Sequence, residues 1–249
     1  MKGVILAGGT GSRLDPLTKV LNKHLIAVYN KPMIYFPIYT LKEAGITDIL
    51  IVSGRGHSGT FLELLGSGSE FGLNFTYEIQ EGAGGIAQAL SLAKDFVGDD
   101  KFVVLLGDNV FEDNLTENIA KFKEQKSGAR LCLKQVDDPK AYGVASVDGD
   151  KISKIVEKPA EPESNLAVLG LYMYDSAVFD YISKIEPSAR NELEITDVNN
   201  LYLGSDNLEY DVIGGKWGDC GESFDSLFEA SQMIKSTRLK NLDNNLNLL

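Results

Sequence analysis

A chain of 249 residues, 43% of them hydrophobic, is long enough to bury a full core, and alternating α/β architectures of this size form one domain. Its formal charge of −12 excludes a broad nucleic-acid-binding surface, which needs clustered Lys and Arg. Two cysteines, Cys132 and Cys220, and two histidines, His24 and His57, supply neither a disulfide framework nor a zinc set, and no apolar run approaches the roughly 18 residues of a membrane helix.

The first apolar run, Gly3–Ala7, is too short for a signal-peptide core, so the chain is expected to be cytoplasmic, with no membrane partner. The charge is uneven. Residues 1–31 carry Lys2, Arg13, Lys19, Lys23 and Lys31 against the single acid Asp15, a basic edge on an acidic protein.

In chain order, apolar β-rich runs at Gly3–Ala7, Asp48–Ser53, Phe75–Gln80 and Phe102–Leu106 alternate with helical patterns, as in a parallel sheet with crossover helices. After Gly85, the residues Ile86, Ala89, Leu90, Ala93, Phe96 and Val97 recur at helical spacing, and Gly98 supplies a stop. Asn114 followed three residues later by Glu117 has the form of a capping box, with Leu115, Ile119 and Phe122 as the apolar stripe. Val144–Val147 and Ile152–Val156 flank Asp148-Gly149-Asp150 and predict a hairpin, and Leu166–Tyr174 predicts a further strand. From Ser223 on, Leu227, Phe228, Ser231, Ile234 and Leu239 predict a closing helix, and residues 244–249 read as frayed. The fold class expected is α/β: a Rossmann-like α/β/α sandwich with a mixed central sheet, in a single domain.

The first strand runs into Gly8-Gly9-Thr10-Gly11-Ser12-Arg13-Leu14, where glycines let backbone N–H groups approach an anion without a Cβ in the way. No Gly-Lys-Ser/Thr follows, and Leu14 stands where a dinucleotide fingerprint has its third glycine, so the loop is neither a Walker A motif nor a nicotinamide-cofactor site. A tight strand-to-helix turn is the alternative, and Arg13 and Lys23 just downstream favour a phosphate cradle. The buried-strand pattern Phe102–Leu106 ends in Gly107-Asp108-Asn109, which puts a carboxylate at the edge of an α/β sheet where ligands bind. Asp108 alone also reads as a helix cap or turn former, and a second carboxylate is needed to make a site.

These motifs resemble the sugar-1-phosphate nucleotidyltransferase family, whose Gly-Gly-x-Gly-x-Arg-Leu stands here as Gly8 to Leu14, followed by Lys23 and by Lys31-Pro32-Met33. The likeness runs from residue 3 to about residue 230, and Lys23 followed by His24 is similar to the short-type glucose-1-phosphate thymidylyltransferases. The resemblance implies a nucleotide-diphospho-sugar transferase fold, with residues 1–110 mainly nucleotide-binding and 111–249 mainly a smaller antiparallel sugar-binding and closing part.

It also implies the chemistry: glucose 1-phosphate attacks the α-phosphate of dTTP in line, giving dTDP-glucose and pyrophosphate for deoxysugar and surface-polysaccharide synthesis. Magnesium is the implied cofactor, held by Asp108 and by Asp219 in Trp217-Gly218-Asp219-Cys220-Gly221. Gly8, Gly9, Gly11, Arg13, Gln80, Gly85 and Asp108 are the implied nucleotide contacts. Arg13, Lys23 and Lys158 are the implied catalytic cations, and Asn109, Gly143, Glu157, Lys158, Tyr172 and Arg190 the implied sugar-phosphate contacts. A phosphate monoester is mostly dianionic at neutral pH, so a general base is not required. Without the resemblance, Glu157 and Lys158 read as strand-end charges and Tyr172 as core.

The chain departs from the family pattern at Asp15, Ala27, Asn191, Cys220 and Glu222. Asn191 takes the place of a glycine, and Asn tolerates a left-handed backbone better than most residues. The last two stand where small or hydroxyl residues are usual. The chain also ends where longer relatives add a helical extension, which puts feedback inhibition in question, and a homo-oligomer, dimer or tetramer, is expected. The alternatives are the same reaction with UTP and a non-catalytic nucleotide-sugar-binding subunit.

Overall fold

A computed structural model describes residues 1–242; the predicted frayed segment 244–249 lies outside the described residues. The chain forms two compact units, and both draw on both halves of the sequence. The glycine-loop unit comprises Lys2–Ala83, Leu105–Thr116 and the described residues from Gly215 on, and the hairpin unit comprises Gly84–Val104 and Glu117–Gly214.

In the glycine-loop unit, strands Lys2–Ala7, Asp48–Gly54 and Asn74–Gln80 run parallel, with Gly3 opposite Ile49 and Asp48 opposite Asn74. Val4, Ile5, Ile49, Leu50, Ile51 and Val52 are fully buried, which is why the first two strands read as unbroken apolar runs. Helices Tyr35–Glu43 and Ser58–Leu65 connect them as crossovers. A short antiparallel ladder pairs Asn109–Phe111 with Trp217–Asp219. The helix Phe224–Ser236 follows, started by reciprocal bonds between Ser223 and Ser226, a cap worth about 1 kcal/mol.

In the hairpin unit, Gly143–Asp148 and Lys151–Glu157 pair antiparallel around Gly149, whose φ of 62° suits the tight turn. Leu166–Tyr174 pairs antiparallel with Ala129–Gln135, and Leu208–Val212 joins the latter strand in parallel, so this part is mixed. The helix predicted after Gly85 is two pieces, Ile86–Ser91 and Lys94–Val97. Between them the bonds tighten to three-residue closures, Leu92 N to Ala89 O and Ala93 N to Leu90 O, while Ser91 Oγ donates to Gln88 O. Asn114 caps the next helix through the N–H of Thr116 at 2.9 Å, one residue earlier than the predicted box. No helix among the described residues is long and apolar enough to cross a membrane.

Candidate active site

Two polar clusters form, one in each unit. In the glycine-loop unit the first strand stops at Ala7, and the chain bends through Gly8–Gly11 into the 3-10 turn Ser12–Leu14 rather than an α-helix. Gly9 and Gly11 have φ of 88° and 64°, and Thr18 Oγ1 donates to Gly11 O at 3.0 Å, pinning the end of the loop. Gly8 faces the buried side chain of Gln80, whose amide oxygen a Cβ at Gly8 would strike.

Lys23 Nζ donates to Asp108 Oδ2 at 2.5 Å, and both side chains are nearly buried. Burial pulls the lysine's pKa down, but Asp108, its hydrogen bond and Asp219 outweigh it, and the value ends above normal. Asp108 moves the other way. Burial pushes its pKa up, while Lys23 and the bonds from Lys23 and Asn109 hold the carboxyl well below the usual range. His24, beside them, is buried, which with the Lys23 charge lowers its pKa to about 3 and keeps the ring neutral. Its Nδ1 and its backbone N–H both lie 2.9 Å from Asn22 Oδ1.

The short ladder carries Asp219 to Asp108, because it sets Asp219 opposite Asn109. Cys220 N–H donates to Asp108 O at 2.9 Å, and Gly221 N–H donates to Asp219 Oδ1 at 3.0 Å. A Cβ on Gly221 would collide with the Asp108 carboxylate and stand 2.9 Å from Lys23 Nζ, so the turn admits no side chain there. Burial first and Asp108 second push Asp219 up to about 7. Burial and the same two carboxylates raise the Cys220 thiol, which stays protonated. Arg13 is half-exposed and pairs with Glu222. Asn109, expected at a sugar phosphate, is buried: its Nδ2 donates to Asp108 Oδ1 at 3.0 Å and its Oδ1 accepts from Trp217 Nε1 at 2.8 Å.

In the hairpin unit Glu157 stands opposite Gly143 on the paired strands. Its Oε2 accepts from Thr196 Oγ1 at 2.5 Å, and its Oε1 accepts from Arg190 at 3.2 Å. Arg190 also bonds both oxygens of buried Glu194 and lies 3.7 Å from Glu192, so three carboxylates surround it. Burial lowers its pKa, but Glu194 and then the other two acids raise it overall. Asn191 has φ of 59°, the left-handed conformation its place in the turn requires. Lys158 is exposed on a left-handed backbone, φ 43°, with no charged partner among the described residues. Tyr172 is buried and stacks on Tyr174, with centroids 6.1 Å apart. Gly85, φ 93°, starts a helix beside the backbone of Leu193, which donates to Gly84 O at 2.8 Å.

Sequence reasoning did not single out Asn22, Trp217, Glu194 or Thr196. Glu194 lies four residues beyond Arg190 across a non-helical turn, so helical spacing does not reveal it; all four act through contacts distant in sequence or through a local turn.

A family model described as nucleotidyl transferase matches residues 2–237. The chain is 43% identical over 236 residues to a low-salt glycan biosynthesis nucleotidyltransferase of Haloferax volcanii; the match covers 94% of this chain and 66% of that protein. It is 43% identical over 243 residues to a glucose-1-phosphate thymidylyltransferase of Xanthomonas campestris, covering 96% of this chain and 82% of that one. A crystal structure of a candidate glucose-1-phosphate thymidylyltransferase from Bacillus anthracis, in complex with sucrose, superposes with a TM-score of 0.91 at 53% identity and covers 96% of each chain.

Proposed function

Because the chain belongs to the nucleotidyl transferase family, we propose that it is a glucose-1-phosphate thymidylyltransferase, joining glucose 1-phosphate to dTTP with release of pyrophosphate. The observation that carries this reading is the convergence of Lys23, Asp108 and Asp219 on Gly221, in the same unit as the glycine loop and Arg13.

The loop N–H groups and the cations Arg13 and Lys23 suit a triphosphate. Fixed positive charge stabilises the negative charge that builds on the α-phosphoryl oxygens as the phosphorus becomes five-coordinate. Asp108 and Asp219 fit a divalent cation. Two buried carboxylates share one ammonium, and burial, with their mutual repulsion second, lifts Asp219 to about 7, a penalty that a bound cation offsets. Magnesium suits two carboxylates plus phosphate oxygens and, when bound, draws electron density from the phosphoryl oxygens. Lys23 then has a second role, holding Asp108 ionised and oriented.

Glu157 is the acceptor for hexose hydroxyls, with Gly143 opposite it leaving room for the Thr196 hydroxyl, and Thr196 and Arg190 fixing its rotamer. Lys158, exposed and without a charged partner among the described residues, is the cation for the sugar phosphate. Arg190 is better read as a positioning residue for Glu157 than as a phosphate ligand, because its charge is already met by Glu157, Glu192 and Glu194. Gln80, buried beside Gly8, offers an amide to the pyrimidine edge. A cytoplasmic protein, assembled as two or four copies, completes the proposal.

The test is pyrophosphate release with glucose 1-phosphate and magnesium across dTTP, UTP, CTP, GTP and ATP, with Asp108→Asn as control. Turnover should be fastest with dTTP and abolished in the variant. Fastest turnover with UTP makes the chain a uridylyltransferase, and nucleotide-sugar binding without turnover makes it a non-catalytic binding subunit.

A further inference from the structure

Arg13 and Glu222, 209 residues apart, form an ion pair at the mouth of the glycine loop. Glu222 does not reach Arg13 by chance rotation of a loose loop. The preceding residues are tied down by Cys220 N–H to Asp108 O and Gly221 N–H to Asp219 Oδ1, and the next residue, Ser223, is locked into the cap of the following helix. The backbone therefore presents the Glu222 carboxylate from a fixed platform. Arginine recognises carboxylate and phosphate with the same planar fork of N–H donors, so the donor spent on Glu222 is one a phosphate oxygen would use.

We infer that Glu222 is an internal competitor of the triphosphate at Arg13: its carboxylate holds the guanidinium in place until a phosphate displaces it. Binding is then an exchange of anions. The competition tunes nucleotide affinity downward, and it keeps the half-exposed Arg13 ordered between turnovers. This inference rests on the reading of Arg13 as a triphosphate ligand. The pair is partly solvated, so the competition is mild, and removing it is expected to change affinity about two- to five-fold.

Two measurements on the full chain test it. Calorimetric titration compares dTTP and inorganic tripolyphosphate on the wild type, Glu222→Gln, and Glu229→Gln; the last removes the same charge from an exposed position on the next helix. Phenylglyoxal labelling, read at Arg13 by peptide mass spectrometry, reports the pair without any nucleotide. Glu222→Gln should bind both ligands about two- to five-fold more tightly and label Arg13 faster by a similar factor, and Glu229→Gln should do neither. Equal binding by wild type and Glu222→Gln, or the same gain in Glu229→Gln, overturns the inference and leaves the nucleotidyltransferase reading standing. Failure of dTTP to bind any of the three proteins overturns that reading, and the inference with it.

Discussion

Lys23 Nζ and Asp108 Oδ2 stand 2.5 Å apart with Asp219 as the neighbouring anion, so one buried ammonium serves two carboxylates. The two members of this pair are therefore not equivalent when removed. Lys23→Met strips the buried Asp108 carboxylate of its counter-charge and should cost about 3–5 kcal/mol, as breaking a buried ion pair does. Asp108→Asn leaves Lys23 and Asp219 to neutralise each other and should cost roughly half of that or less. Urea denaturation of both variants checks the order, and the reverse order would show that Asp219 does not share the lysine.

The pH dependence of stability separates Asp219 from His24. Asp219 is raised to about 7 from an unfolded value of about 3.9, so its contribution is fully present below the unfolded value and is lost as the pH rises through about 7. His24 is lowered to about 3, so its contribution is present above about 6.5 and is lost as the pH falls. The two oppose each other between about pH 4 and 6.5. The advantage in thermal midpoint of Asp219→Asn over wild type should therefore grow as the pH rises from 4 to 7.5. Magnesium should raise the wild-type midpoint more at pH 8 than at pH 5.

Lys158→Ala tests a side chain whose loss should leave the fold alone. The lysine is exposed with no charged partner among the described residues, so the denaturation midpoint should stay within about 0.5 kcal/mol of wild type. Turnover should fall about 100-fold if its charge meets the sugar phosphate in the transition state. Steady-state kinetics with glucose 1-phosphate as the varied substrate reads that loss.

Gly85→Ala should destabilise the protein by about 1–3 kcal/mol, since its φ of 93° is rarely adopted by other residues and a Cβ would come 2.6 Å from Leu193 O. Gly82→Ala, where nothing lies within 4 Å of the added carbon, is the control and should be nearly neutral.

Much of the fold is legible where its strands are buried. Phe102–Leu106 and Leu166–Tyr174 appear in the structure with the bounds their apolar runs predict, and the hairpin around Gly149 follows from its turn residues. Asn191 adopts the left-handed conformation anticipated for it. The break at Ser91–Ala93 was hidden because the apolar spacing continues across it, whereas the Ser91 hydroxyl and the three-residue bonds that interrupt the helix leave no mark on periodicity. The pairing of Asp219 with Asp108 was available only through resemblance: the ladder that brings them together is three residues long on each side, too short to show a period. Asn109 illustrates the converse, since only the fold reveals that Trp217 and Asp108 occupy its amide.

The most direct measurement of the central claim follows the phosphorus atoms of dTTP. With glucose 1-phosphate and magnesium, label placed on the α-phosphate should appear in dTDP-glucose, and label placed on the γ-phosphate should appear in inorganic pyrophosphate, with both transfers lost in Asp108→Asn. Release of γ-label as free orthophosphate, with no α-label entering a sugar nucleotide, would contradict attack at the α-phosphorus and with it the account given for Arg13, Lys23, Asp108 and Asp219.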